Sequence, residues 1–239
     1  MKLPISDRLL ACAGFVAPGD RVADIGCDHG YLSIHLLTNG IAASAIAADV
    51  NEQPLQSARH NAEKYGVRDK MTFFLSDGVQ NIPRDFNTLI CAGMGADTMI
   101  HILADAPWLK SRQYRMILQC QSKTQELRRY LSENGWRITE ESVLRDGRFL
   151  YTIMEIYWEP EYPRLTAGEW YFPPAMLENP SRETIEYYHR IVKNLRTAVD
   201  ARGEKADPQL KDILQELEAL AEDPNLRFLN KEDKHGNCS

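Results

Sequence analysis

No stretch of the 239 residues is an unbroken run of about 18 apolar side chains, so no membrane-spanning helix is expected. The first ten residues, MKLPISDRLL, hold neither a long apolar core nor a small-residue cleavage site, and a secretion signal is not expected. Five cysteines are present, Cys12, Cys27, Cys91, Cys120 and Cys238, and none forms a CxxC pair. Three of them stand in apolar or glycine-rich strand ends. That argues for a reducing cytoplasm and against a disulfide framework or a zinc site, and no metal is expected. An excess of basic residues is also missing: 28 Lys and Arg against 34 Asp and Glu leave a net charge of −6. Bulk charge therefore gives no support to nucleic-acid binding. Repeats and low-complexity tracts are absent. The remaining composition, 44% hydrophobic and 26% charged, suits one α/β domain with a smaller addition.

What is present alternates in period. RVADIG, SAIAADV, MTFFLSDG, NTLICAGMG and YRMILQC read as strands. Between them GYLSIHLLTNG, NEQPLQSARHNAEKYG and GADTMIHILADA read as helices, and SKTQELRRYLSENG follows with Ser122 as its expected N-cap. Strand–helix repetition implies a parallel sheet covered on both faces. The order then changes: WRITEESVLRDGRFLYTIMEIYWE is two β-rich runs around Asp146-Gly147, a hairpin. A doubly wound sheet ending in an antiparallel hairpin is the plan of a class I, Rossmann-like methyltransferase. Residues 1–159 form that expected domain. Residues 160–180, with five prolines, read as an extended connector packing through aromatics. Residues 181–229 read as two helices with apolar seams, Ile185–Val199 and Leu210–Leu220, forming a coiled-coil-like hairpin. Residues 230–239 read as a frayed tail.

The decisive stretch is RVADIGCDHGYL, a buried strand running through a glycine turn into a helix. A pyrophosphate-binding loop usually reads GxGxxG. Here Gly26 and Gly30 enclose Cys27, Asp28 and His29. A carboxylate in that loop repels a pyrophosphate but attracts the ammonium and sulfonium of S-adenosylmethionine (SAM), and it does so more strongly out of water. Asp24 at the first strand end supports the same cofactor. Asp49 can accept ribose hydroxyls at the second, and Asp77, in SDG, can meet an adenine amino group at the third. Glycines in CAGMG at the fourth allow close backbone approach. The expected cofactor set is Asp24, Gly26, Cys27, Asp28, His29, Gly30, Tyr31, Asp49, Val50, Asp77, Gly78, Gly93, Met94 and Gly95. His29 has two readings, a contact to adenine or a cap for the following helix.

These motifs also carry a family resemblance. Ile5–Leu9 (ISDRL), Ala23–His29 (ADIGCDH), Gly93-Met94-Gly95 and Asn134-Gly135-Trp136 resemble the bacterial tRNA (adenine-22 N1)-methyltransferases, the TrmK family, over nearly the whole chain. Ala96, where a glycine is often found, and Cys120, where proline is common, depart from the pattern at the target pocket. The resemblance implies methyl transfer from SAM to N1 of an adenine in the D-arm region of tRNA. S-adenosylhomocysteine would be the second product, with no metal and no obligate protein partner, and the C-terminal coiled coil would assist tRNA binding. Because N1 has an in-plane lone pair, no covalent enzyme nucleophile is required, and orientation carries the catalysis. A carboxylate near the cationic product base would stabilise developing charge. Asp7 is the candidate, and Arg8 would hold a phosphate or organise Asp7. Read without the family, SDRL is a helix start capped by Ser6.

From Lys110 to Arg148, nine basic residues face five acidic ones, a local excess in an acidic chain. Arg128, Arg129, Arg145 and Arg148 are the candidate nucleic-acid contacts. Three rival readings stand beside this one. Cys91 and Cys120 fall near where 5-methylcytosine enzymes carry cysteines, but Ile90 and Gln119 precede them instead of the expected proline and threonine. Amino-group methyltransferases show an N/D-P-P-Y/F turn that CAGMG lacks. The third is a non-catalytic SAM-responsive RNA-binding protein.

Overall fold

The computed structural model describes residues 3–223 and Leu226; Cys238 and the expected tail 230–239 lie outside the described residues. Seven strands form one sheet: β1 (Asp20–Ile25), β2 (Ala42–Asp49), β3 (Met71–Leu75), β4 (Thr88–Met94), β5 (Arg115–Cys120), β6 (Trp136–Asp146) and β7 (Phe149–Trp158). Their spatial order is β3-β2-β1-β4-β5-β7-β6. The first five run parallel, and β7 enters antiparallel to β5 and β6. This is the expected doubly wound sheet ending in a hairpin. The apolar run Met116-Ile117-Leu118 in β5 is wholly buried, as it must be in a strand covered on both faces.

Helices α1 (Asp7–Gly14), α2 (Tyr31–Thr38) and α3 (Glu52–Lys64) cover one face, burying Cys12, Leu32, Leu55, Ala58 and Ala62. Helices α4 (Ala96–Asp105) and α5 (Thr124–Glu133) cover the other, burying Met99, Leu103, Leu127 and Leu131. Ser122 does not cap α5: the N-cap is Lys123, in the left-handed region at φ +56°. The carbonyl of Ser122 instead accepts the Ala96 amide at 3.1 Å and the Cys120 thiol at 3.1 Å, fastening the ends of β4 and β5 together.

The β6–β7 turn is the two-residue Gly147-Arg148, one position later than Asp146-Gly147, since Asp146 already pairs with Phe149. Gly147 has φ +59°, the conformation a tight hairpin asks of its first loop residue.

Helices α6 (Arg182–Asp200) and α7 (Pro208–Ala219) form the C-terminal hairpin. A Ser181–Thr184 capping box starts α6, and Asp207 caps α7 by accepting the Gln209 amide at 3.0 Å. Ile185, Tyr188, Val192 and Leu195 of α6 meet Ile213, Leu214 and Leu217 of α7. The seams do not bury only each other. Val143 of β6 and Phe172 and Met176 of the connector complete the same core, so the hairpin is docked on the sheet domain.

Arg128 fastens this junction, and here a sequence expectation fails. Read as a surface contact for phosphate, its side chain is 0% exposed. Its Nε lies 3.1 Å from Glu141, its Nη2 lies 2.8 Å from the same carboxylate, and its Nη1 donates to the carbonyls of Trp170 (2.9 Å) and Tyr171 (2.8 Å). At its position on α5 the side chain points into the core beside Leu127 and Leu131, and Glu141 waits there on β6. A boundary after 159 would remove both carbonyl acceptors. Removing one buried partner strands the other charge, so Arg128→Met or Glu141→Leu is expected to lower unfolding free energy by about 3–5 kcal/mol. The double variant should recover only part, because the carbonyls of Trp170 and Tyr171 remain unpaired. Urea unfolding of the three variants measures this; strictly additive losses would show that the two residues are not coupled.

Candidate active site

The C-terminal ends of β1 to β5 converge on one edge, the place where open α/β sheets bind ligands. Three left-handed residues, Gly26 (φ +71°), Asp28 (φ +50°) and Gly30 (φ +72°), turn the chain from β1 into α2. The amides of Gly26 and Cys27 donate to the Ala48 carbonyl at 2.8 and 3.0 Å, pinning the loop to β2. At Gly30 a Cβ would stand 3.0 Å from that of Ala58, so only glycine lets the loop lie on α3. Gly30 is also the N-cap of α2, which removes the capping alternative for His29. The His29 ring lies instead on the rim, Nε2 3.6 Å from Asp28, with its centroid 5.6 Å from that of Tyr31.

Four carboxylates line this edge. Asp24 is buried and accepts the Ser33 hydroxyl at 2.8 Å. Asp49 accepts the Asn51 amide at 2.9 Å and the Asp28 amide at 3.4 Å, one on each oxygen, which leaves lone pairs for a diol. Asp28 and Asp77 are exposed. Val50, next to Asp49, is 63% exposed, an apolar surface suited to a flat ring. Gly78 (φ +53°) packs against Ile102, and its carbonyl accepts the Ser76 hydroxyl at 3.0 Å. This donor set fits a cationic ligand carrying a ribose and an adenine, and it is hostile to a pyrophosphate. Among the described residues no group of three or more His, Cys, Asp and Glu could hold a metal.

The β4 turn closes the site. Met94 lies over Gly26, where a Cβ would stand 2.4 Å from its methyl group. A Cβ at Gly93 (φ +85°) would stand 2.8 Å from Arg8 Nη1. Arg8 lies against the β4 turn. Its Nη1 donates to Gln119 Oε1 at 2.6 Å, and the Gly93 amide donates to the same oxygen at 2.9 Å. Gln119, fully buried, was not singled out in the sequence; the available signal was a lone polar side chain ending the apolar strand RMILQC. This bond lays the start of α1 across the strand ends. Ser6 caps α1, and Asp7, exposed, stands in its first turn, next to Arg8. The helix-start reading of SDRL is thus realised.

The cysteines are unsuited to nucleophilic work. Burial pushes the Cys91 thiol up to about 12, and burial also raises Cys27 and Cys120. Of the basic candidates, Arg129 pairs with Glu133 at 3.1 Å and Arg145 pairs with Glu186, while Arg148 lies 4.9 Å over the Phe149 ring. With Arg128 interior, the basic segment is no single patch. Most of its charges are matched locally, and the three remaining candidates, Arg129, Arg145 and Arg148, are exposed on α5 and the β-hairpin tip.

The model of the family described as "Methyltransferase domain" matches residues 5–154. The chain belongs to that family. It is 29% identical over 195 residues to a tRNA methyltransferase candidate of Mycoplasma genitalium, spanning 80% of this chain and 84% of that one. It is 29% identical over 154 residues to the tRNA (adenine(22)-N(1))-methyltransferase of Bacillus subtilis, spanning 64% of this chain and 65% of that protein. The structure of the Streptococcus pneumoniae tRNA (m1A22) methyltransferase candidate Sp1610 with S-adenosyl-L-methionine superposes with a TM-score of 0.78. It is 29% identical and covers 90% of this chain and 99% of that one. The resemblance first drawn from ADIGCDH and GMG is borne out, and the class I fold with it.

Asp24 gives this methyltransferase site a pH signature. Burial raises its pKa from 3.8 to about 6, the Ser33 hydrogen bond opposes that rise, and the charge of Asp49 adds to it. Between those values the folded state holds the extra proton. The stability Asp24 contributes is therefore full below about pH 4 and lost as pH rises through about 6. A cationic ligand needs the carboxylate, so SAM affinity is expected to rise about tenfold from pH 5 to pH 7. In Asp24→Asn the affinity should be weaker and flat over that range. Calorimetry at several pH values tests it; a wild-type affinity independent of pH would remove Asp24 from the site.

Proposed function

We propose that the protein is a tRNA (adenine-N1)-methyltransferase that uses SAM and acts on adenine 22 in the D-arm region, working in the cytoplasm. One observation carries most weight: Asp24, Asp49 and Asp77 stand at the ends of the first three strands, and the Arg8–Gln119 bond ties the first turn of α1, which holds Asp7, to β5. Asp24, Asp28, Asp49 and Asp77, with Val50 and the glycine turns, would hold SAM, which when bound offers an electrophilic methyl group. The printed functions of the B. subtilis relative and of Sp1610 agree with this reading.

The chain's own residues have a limited task. Adenine N1 attacks with its in-plane lone pair, and no proton has to leave first. The walls formed by Gly93, Met94 and Gly95 orient the base. Asp7 places a carboxylate where the base acquires positive charge. The raised thiols of Cys91 and Cys120 hold no place in the chemistry. No helix among the described residues is long and apolar enough to cross a membrane.

Labelled methyl from SAM should appear as 1-methyladenosine at one position of unmodified tRNA. Asp7→Ala should cut turnover by about a hundredfold with SAM affinity kept, and Cys120→Ala should change turnover little. Label recovered as 5-methylcytosine, or a Cys120→Ala variant without activity, would overturn the assignment.

A further inference from the structure

The β6–β7 hairpin is longer than the sheet it joins. Thr152 of β7 is level with Cys120, the last residue of β5. The strand continues to Phe149, so three more residues, about 10 Å of chain, overhang the catalytic edge. Cβ direction alternates along a strand. Phe149 and Tyr151 therefore share the face of Ile153, the face that α1 covers and on which Leu144 packs. Opposite them, Arg145 and Leu150 face the C-terminal helices, where Arg145 pairs with Glu186. The overhang thus turns its aromatic side toward the helix that carries Asp7.

That side is unusually apolar for solvent. Phe149 is 48% exposed, one of the few large hydrophobic side chains so placed among the described residues. Its ring lies 6.0 Å from that of Tyr151 at an interplanar angle of 33°, and the Arg148 guanidinium caps it at 4.9 Å. An exposed ring backed by a half-buried one, beside a guanidinium and next to a site that handles a base, matches how proteins hold unstacked RNA. Rings take base faces, and arginine supplies charge to phosphate or stacks itself.

We propose that Phe149 and Tyr151, with Arg148, form a stacking platform for an unpaired RNA base adjacent to the adenine being methylated. This rests on the tRNA reading above. An adenine inside a folded tRNA must leave its stack to reach the strand ends, and a neighbouring base left without its partner needs a new surface. The platform lies where that neighbour would emerge, and its glycine turn sets the rings without burying them.

The test uses full-length protein and an unmodified tRNA transcript. Phe149→Ala should raise KM and Kd for tRNA about 5- to 100-fold, the range for one lost base–aromatic stack. SAM affinity, thermal midpoint and the salt slope of tRNA binding should stay as in wild type. Phe149→Trp should restore tRNA affinity. Arg148→Ala should instead lower the salt slope by about one. A Phe149→Ala variant with wild-type KM and Kd, or a Trp variant as weak as Ala, would overturn the platform. So would sedimentation showing that wild type pairs through this tip and Phe149→Ala does not, since the rings would then meet a second copy. A wild type that neither binds nor methylates tRNA would sink the functional reading as well, whereas an active wild type beside an unimpaired Phe149→Ala sinks the platform alone.

Discussion

Arg128 carries a full charge into the interior, and it can stay there because Glu141 and the carbonyls of Trp170 and Tyr171 meet it from three sides. Three parts of the chain meet there: Arg128 lies on α5, Glu141 on β6, and Trp170 and Tyr171 in the connector. The Tyr187 hydroxyl, 3.4 Å away, brings in α6. Such a group adds little net stability when complete, yet any other arrangement of these elements leaves a buried ion unpaired. It therefore selects one docking of the C-terminal helices over slipped alternatives. It also fixes β6, because Glu141 is paired to Met154 of β7, whose own pairing with Leu118 of β5 sets how far the hairpin overhangs the site.

At the opposite end of the same strands, order comes from contacts of another kind. Glycines are placed where two surfaces have to touch: Gly26 beneath Met94, and Gly93 beneath Arg8. Gln119 then takes two donors, one from the strand turn and one from α1, on a single oxygen. A neutral amide suits this better than a carboxylate would. It accepts both bonds without adding a further negative charge beside Asp24, whose own ionisation is already opposed by burial.

Much of this was legible in the sequence. Strand–helix alternation, the glycine stops and the β-hairpin, though not the exact register of its turn, each rest on local rules, and the sheet order follows from them with little freedom. The cofactor edge was legible too, since a carboxylate is diagnostic where a strand ends in a glycine turn. Two kinds of information were out of reach. Arg128 and Arg129 are neighbours with the same composition signal, but α5 turns about 100° per residue, so one enters the core and the other meets solvent. Counting charge along a segment cannot separate them. The Arg8–Gln119 bond joins residues 111 apart, and nothing local announces it. The seam residues of α6 and α7 were visible as helix periodicity, yet periodicity does not say that Val143 and Phe172 share the core.

The two ends of the sheet show how the site can hold its charge. At the N-terminal ends, Asp20 accepts from the Ala17 amide, Asn87 and Thr88 at 2.9 Å each and pairs with Arg115, which also reaches Glu155 at 3.1 Å. Each charge of that network is answered within the fold, so the network serves cohesion. At the C-terminal ends the answers are incomplete. Asp24 has one hydroxyl, Asp49 two amides, and Asp28 and Asp77 face water. A buried carboxylate met only by neutral donors is held at a cost to the folded state, and a cation arriving in that space offsets the cost as it binds. The cost of those buried carboxylates and the affinity of the edge for a positive ligand are then two sides of the same free energy. The bonded network at the other end of the sheet offsets that cost within the same fold.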